Sequence, residues 1–136
     1  YTEKLIPKAI KYLGLGKKIP LHNDGTPIRN WLHAQDTADA VVTLVESKVK
    51  NEIYNIAGGF EQTNLDTTNK VITLCHPKEE LSNYNSYYDF SYSRRGQDVR
   101  YALNDDKLKL LGWKSKRLFD YELPKIIEYY KENFIW

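Results

Sequence analysis

YTEKLIPKAIKYLGLGKKIPLHNDG, Tyr1 to Gly25, is the stretch from which the fold can be read. Lys4 stands just before an apolar run whose proline, Pro7, suits the first turn of a helix, where its missing N–H costs nothing. The spacing predicts a helix over 7–13, which Gly14 and Gly16 end. Lys18 to His22 reads as a short strand and Asn23-Asp24-Gly25 as the turn after it.

The same alternation continues outward. Asp36 is predicted to cap a helix whose apolar face carries Ala38, Val41, Val42 and Val45. Glu52 to Ile56 reads as a strand that Gly58-Gly59 breaks. Asn64 is predicted to cap a helix burying Leu65, Thr68, Val71, Ile72 and Cys75, closed by His76-Pro77. Residues 78–89 read as a loop, and Phe90 and Tyr92 as a strand. Asn104 or Asp105 caps a short helix ended by Gly112. Asp120 caps the last one, with Leu123, Ile126, Ile127, Tyr130 and Phe134 on one face. Alternating helices and strands argue an α/β fold, and the few short strands read as parts of a sheet completed elsewhere.

A chain of 136 residues is enough for one domain with a real core. Its 20 basic and 18 acidic residues are interspersed and leave a net charge of +2, so the one-sided basic footprint of a nucleic-acid binder is missing. The single cysteine, Cys75, rules out an internal disulfide and favours a reducing, cytoplasmic setting. No apolar run approaches the roughly 20 residues that span a membrane. The start at Tyr1 and the absence of Met lead us to expect the back part of a longer protein.

Five constellations bear on chemistry. Lys4 can present its ammonium to a phosphate at a helix N-terminus, or be a solvated lysine. In IPLHNDG, residues 19–25, a strand edge running into a turn can read a planar base through its backbone, or be an ordinary turn. In PIRNWLHAQDTADA, residues 27–40, Arg29 can pair bidentately with a diphosphate, or with Asp36 or Asp39. YNIAGG, residues 54–59, followed by Asn64, suggests a phosphate loop but lacks G-x-G-x-x-G and G-K-[ST]. In SRRGQDVRY, residues 93–101, Gly96 permits a sharp turn between arginines, and Asp98 can hold one of them or a ribose hydroxyl. Cys75-His76 has no ligand spacing for zinc, and no G-x-S-x-G is present.

The order of these motifs is more specific than any one of them. EKLIP, IPLHNDG, IRNWL with Asp36 behind it, YNIAGG, Asn64-Leu65-Asp66, R-x-G-x-D-x-R-Y and LGW at 111–113 are collinear. The series resembles the C-terminal part of the dTDP-glucose 4,6-dehydratases and their UDP-glucose relatives, in the extended short-chain dehydrogenase/reductase superfamily. The resemblance implies a C-terminal nucleotide-sugar-binding portion over 1–136 of a Rossmann-type fold, with the NAD-binding domain upstream. The helices at 7–13, 65–75 and 105–111 would belong to the substrate domain. YNIAGG and the helix after Asp36 would pack on the Rossmann sheet and leave an apolar face.

Carried over residue by residue, the resemblance implies a substrate site. Lys4 and Leu5 would contact the phosphates. Pro20, Leu21 and His22 would line the base pocket, and Arg29 would bind the diphosphate. Asn64 would bond the nucleotide, and Arg94, Gly96 and Asp98 would close over phosphate and ribose with Tyr101 nearby. The family oxidises C4 of glucose with NAD, eliminates water across C5–C6 and returns the hydride to C6. Its glycine-rich loop, Tyr-x-x-x-Lys pair and Asp-Glu pair are expected upstream, so no catalytic residue and no bound NAD are expected in this stretch. The complete enzyme would be a homodimer whose partner is dTDP- or UDP-glucose, with no nucleic acid or membrane. Two departures stand out: the R-P-G-H-D of the bacterial enzymes reads Arg94-Arg95-Gly96-Gln97-Asp98, and the region between the Asn64 helix and Phe90 is short; His22 stands where the bacterial enzymes often have Tyr and resembles the plant UDP-glucose enzymes. The alternatives are a nucleotide-sugar epimerase, a UDP-glucuronate decarboxylase, or a non-enzymatic nucleotide-binding module. The D-P-x-x-R-x-P-D pattern of the first two is missing from 94–101.

Overall fold

The computed structural model describes residues 3–133. Tyr1, Thr2 and Phe134, which the sequence reading included, lie outside them. In chain order the elements are α1 (Leu5–Gly14), β1 (Ile19–Pro20), β2 (Ile28–Asn30), α2 (Ala34–Glu46), β3 (Glu61–Thr63), α3 (Asn64–Cys75), β4 (Tyr88–Asp89), α4 (Asp106–Lys109) and α5 (Phe119–Asn133). Single 3-10 segments span His22–Gly25 and Leu81–Tyr87. β1 pairs parallel with β4, and β2 pairs antiparallel with β3, so the α/β expectation holds in miniature.

α1 lies against α3 and α5, and the three helices close over β1 and β4. Ile10, Leu13, Ile19, Leu21, Val71, Ile72, Tyr88, Leu123 and Ile127 form the interior, each buried apolar side chain contributing roughly 1.5–3 kcal/mol. Tyr84 joins them from the segment read as a loop, and its hydroxyl meets Thr73 Oγ1 at 2.8 Å. Tyr88 Oη donates to Asn69 Oδ1 at 2.6 Å. A tyrosine can be core only when its hydroxyl finds a partner, which explains why a polar-looking stretch is structural here. A second, smaller cluster gathers Ala40, Leu108 and Trp113 with Leu32, Leu44, Tyr54, Ile56 and Leu111 around them.

Several expectations are corrected. α2 begins at Ala34, and its cap is His33, whose Nδ1 accepts from the Gln35 N–H at 3.1 Å. Asp36 is instead 1% exposed inside the first turn. α3 is capped by Thr63 rather than Asn64: Thr63 Oγ1 accepts from the Asp66 N–H at 2.9 Å. Residues 52–56 form no strand, and the strand expected at Phe90 and Tyr92 lies at Tyr88–Asp89. The valine stripe of α2 is exposed, with Val41, Val42 and Val45 at 50%, 53% and 72%. Among the described residues no helix is long and apolar enough to cross a membrane.

Asp36 joins the two clusters. Its Oδ2 accepts from the Lys116 and Arg117 N–H groups at 3.3 and 3.1 Å, and its Oδ1 from Arg117 Nη1 at 2.6 Å. Its backbone carbonyl accepts from Trp113 Nε1 at 3.1 Å. Burial pushes the carboxyl pKa up, but the donors from Arg117 and Lys116 outweigh it and hold it below the ordinary 3.8. Asp36→Ala removes the acceptor of the Lys116 and Arg117 N–H groups and leaves Arg117 only Asp39, and we expect a loss of about 3 kcal/mol in urea unfolding. A folded pKa held below the unfolded one stabilises fully above pH ~4 and is lost as pH falls through the folded value. Asp36→Ala should therefore show a shallower acid limb below pH ~4 than the wild type. Identical limbs would sink this account.

Candidate nucleotide-sugar site

The site is built around β2. Its one edge pairs with β3, placing Arg29 opposite Gln62. Its other edge takes a parallel bridge from Ile28 to Arg100, with the Ile28 N–H donating to Val99 C=O at 2.8 Å and the Tyr101 N–H to Ile28 C=O at 3.3 Å. The arginine-rich segment is thereby laid along Arg29. Arg29 Nη1 donates to the carbonyls of Ile28 and Asp98 at 2.7 and 3.2 Å. Its guanidinium sits 4.4 Å from the Tyr101 ring centroid, a cation–π contact. Tyr101 Oη donates to Asp98 Oδ2 at 2.6 Å.

Three residues singled out in the sequence, Arg29, Asp98 and Tyr101, therefore form one contiguous group. Arg29 was expected to bind a diphosphate or to pair with Asp36 or Asp39. The pairing with those aspartates is made instead by Arg117, whose Nη1 lies 2.6 Å from Asp36 Oδ1 and 3.1 Å from Asp39 Oδ2. Arg100, the last arginine of the segment, is engaged bidentately by Glu61 at 2.9 and 2.6 Å. It is a structural tie to β3, which leaves Arg94 and Arg95 as the cations of the arm without an ion pair among the described residues.

The turn after β1 meets the same arm. The Leu21 N–H donates to Asp89 C=O at 3.0 Å and the Asn23 N–H to Tyr92 C=O at 3.1 Å. The His22 and Tyr92 rings stand 5.6 Å apart. Leu21 is 1% exposed, so its side chain belongs to the core and not to a pocket wall. Pro20 pairs with Asp89 on β4. Gly25 has φ +70°, and a Cβ there would lie 2.5 Å from Leu21 Cδ2 and 2.9 Å from Leu65 Cβ. Only glycine lets this turn sit down on α3. There the Asn64 N–H donates to Pro27 C=O at 3.0 Å, bringing Asn64 beside the turn. Gly96 has φ +73° and turns the arm, with the Gln97 N–H reaching Arg94 C=O at 3.3 Å.

Lys4 and Leu5 open α1. Lys4 is exposed and its ammonium has no partner among the described residues, while Leu5 packs half-buried against the main core. Two buried polar atoms beside the turn and the arm, His22 Nδ1 and Gln97 Oε1, also lack a partner among the described residues. An orphaned buried polar atom costs about 1–3 kcal/mol unless something satisfies it. A separate cavity of about 490 Å³ lies between Trp31, Phe60 and the α5 side chains Phe119, Ile126 and Tyr129, and none of the eleven expected site residues lines it. Among the described residues no group of three or more His, Cys, Asp or Glu could hold a metal.

A Tyr-x-x-x-Lys spacing, expected only upstream, does occur at Tyr121 and Lys125 on α5. Lys125 Nζ lies over the face of the Tyr121 ring, 4.1 Å from its centroid, and bonds Glu122 Oε1 at 3.1 Å. The ammonium is thus spent on a ring face and a carboxylate one turn away, not set against the phenol oxygen.

Residues 1–57 match the NAD dependent epimerase/dehydratase family. The whole chain aligns at 36% identity over 141 residues with the dTDP-glucose 4,6-dehydratase of Shigella flexneri. With the dTDP-D-glucose 4,6-dehydratase of Homo sapiens it shares 34% over 134 residues, 98% of this chain. Over its whole length the chain is thus similar to dTDP-glucose 4,6-dehydratases of the extended short-chain dehydrogenase/reductase superfamily. It spans 38% of the length of either relative. The dTDP-glucose 4,6-dehydratase of Bacillus anthracis, solved in complex with NAD, superposes with a TM-score of 0.85 at 34% identity over 98% of this chain and 40% of its own. DesIV, the dTDP-glucose 4,6-dehydratase of Streptomyces venezuelae, also solved with NAD, gives 0.87 at 30% over the same shares. A Bacillus cereus UDP-glucuronic acid 4-epimerase, 20% identical with a TM-score of 0.84, shares the fold.

The hydrogen bond to Asp98 raises the Tyr101 pKa above its ordinary 10.0, and the charges of Arg29 and Arg94 only partly oppose it. Asp98→Asn should return the Tyr101 phenol toward about 10 in an NMR titration of its ring carbon. An unchanged titration would mean that the pair is not formed in solution.

Proposed function

We propose that these residues are the nucleotide-sugar grip of an NAD-dependent 4,6-dehydratase acting on dTDP- or UDP-glucose. The observation that carries this reading is the grouping of Arg29, Asp98 and Tyr101 along β2. Arg29 Nη1 is taken by two carbonyls, which leaves its Nε and Nη2 edge for a diphosphate. Arg94 is near enough to bear on the Tyr101 phenol and supplies a second positive charge. A dianion drawn to both arginines is matched in charge, and the free edge of Arg29 suits its paired oxygens.

The other roles follow from position. Asp98, whose Oδ2 already accepts from Tyr101, offers its remaining acceptor capacity to a ribose hydroxyl. His22 Nδ1 and Gln97 Oε1 gain partners when a base and ribose settle over the turn. Pro20 and Leu21 shape that pocket by backbone alone. Asn64 reaches it from the start of α3, and Gly96 lets the arm close. Lys4 and Leu5 complete the phosphate side from the start of α1.

Bound NAD would supply the hydride acceptor for oxidation at C4 and return the hydride to C6 after water has left across C5–C6. The residues described here bind and orient the substrate. Val41, Val42 and Val45 of α2, with Ile53 at 88% exposure, give an apolar face for the NAD-binding sheet of such an enzyme to cover. On this reading the complete enzyme is a homodimer in a reducing compartment, and its partner is the nucleotide-sugar rather than nucleic acid or a membrane.

Calorimetry with dTDP and UDP tests the grip. Arg29→Ala should weaken binding by roughly 10- to 100-fold, the worth of a charge-assisted pair, and Arg29→Lys should fall between because the bidentate edge is lost. Wild-type protein that binds neither nucleotide would refute the proposal. The 136-residue chain supplied with NAD should not convert dTDP- or UDP-glucose. A product lighter by one water in mass spectrometry would show that the chemistry resides here after all.

A further inference from the structure

Asn23 is the only residue whose side chain grips the backbone of the arginine arm from the turn after β1, among the hydrogen bonds of the described residues. Its Oδ1 accepts from the Arg94 N–H at 2.9 Å and its Nδ2 donates to the Arg94 C=O at 3.4 Å. The carboxamide thus takes the place of a neighbouring strand residue, meeting one residue's donor and acceptor together. The backbone N–H of Asn23 adds a third tie, to Tyr92 C=O at 3.1 Å. Asn23 and Asp24 both lie in the left-handed region, at φ 52° and 54°. Asparagine tolerates that region better than most residues with a side chain. Thr26 steadies the turn, its N–H and Oγ1 both donating to Asn23 C=O, at 3.1 and 2.9 Å.

We propose that Asn23 is a positioning residue of the nucleotide site, setting the Arg94 guanidinium over the diphosphate by fixing the Arg94 backbone. The inference rests on the nucleotide-sugar reading above and adds a specific residue to it. Glycine or alanine at 23 cannot form this pair of bonds. Glycine alone of the two keeps the left-handed backbone without strain, so the grip and the turn can be separated experimentally. From the arm's other side Arg94 is held only through its own neighbours, since the next ties to β2 come at Asp98, Val99 and Tyr101.

The test uses dTDP calorimetry on Asn23→Gly, Arg94→Ala and the double variant, with hydrogen exchange at the Arg94 amide. Asn23→Gly should weaken dTDP binding by roughly five- to tenfold, the scale of one or two hydrogen bonds. In the Arg94→Ala background the same change should cost nothing further, because there is no guanidinium left to position. Asn23→Asp, which keeps the acceptor for the Arg94 N–H, should recover part of the loss. The Arg94 amide should exchange at least tenfold faster in Asn23→Gly. An equal loss in both backgrounds would mean that Asn23 acts other than through Arg94 and would overturn the proposal. So would unchanged affinity or unchanged exchange in Asn23→Gly. Wild-type protein that fails to bind dTDP or UDP would instead bring down the nucleotide reading itself, and this role with it.

Discussion

The carboxylate of Asp36 is the constraint on which the rest of the architecture depends. It is buried, it belongs to the first turn of α2, and every donor that meets it comes from residues 116 and 117. A charge removed from water survives only when paired and hydrogen-bonded, so the chain at 113–117 has one place to lie. That placement brings Trp113 into the smaller cluster and sets where α5 begins, two residues beyond Arg117. α5 then carries Leu123 and Ile127 into the larger cluster. The net gain over an apolar substitute is small for a pair of this kind. Its contribution is to fix how two separate apolar clusters are joined.

β2 does for the site what Asp36 does for the fold. Three residues long, it is bonded on both edges, to β3 and to the arm at 99–101. Arg29 is held at its centre and cannot slide without breaking both sets of bonds. The Glu61–Arg100 pair spans from β3 to the arm and fixes the register from outside. Arg94 and Arg95, without an ion pair among the described residues, are the arginines of the arm left over when structure has taken its share. A second level of order comes from the turn after β1, where Gly25 permits contact with Leu65 on α3. Base-side, phosphate-side and arm residues of the proposed grip are thus referred to one apolar core.

Much of this was legible in the sequence, because the legible features are local. The helix after Pro7, the turn at Asn23-Asp24-Gly25 and the helix after Asn64 follow from spacing and turn chemistry, and the structure has all three. That Arg29, Asp98 and Tyr101 share one site was implied by the family resemblance rather than by any one motif. What escaped is nonlocal. Asp36 has every local mark of a cap, and only a partner 81 positions away reassigns it. The valines of α2 carry a correct helical stripe that nothing in the described residues covers, so periodicity predicted a helix but not burial. Glu52 to Ile56 has strand composition without a strand partner, and composition cannot form a ladder alone. Tyr84 and Tyr88 looked polar because their hydroxyls could not be matched in advance to Thr73 and Asn69.

The arm at 91–96 is exposed throughout, and 98–104 likewise, so apolar burial does little to hold it. Its order rests on polar ties to Asn23, Ile28, Arg29 and Glu61, each worth on the order of 1 kcal/mol net. Segments of this kind open at a fraction of the global stability. The charges of Arg29 and Arg94 both bear on the Tyr101 phenol, which bonds the Asp98 carboxylate. In the proposed grip a dianionic ligand drawn to these cations adds charge-assisted ties to a segment that has few of its own, so ligand binding orders the arm where burial does not.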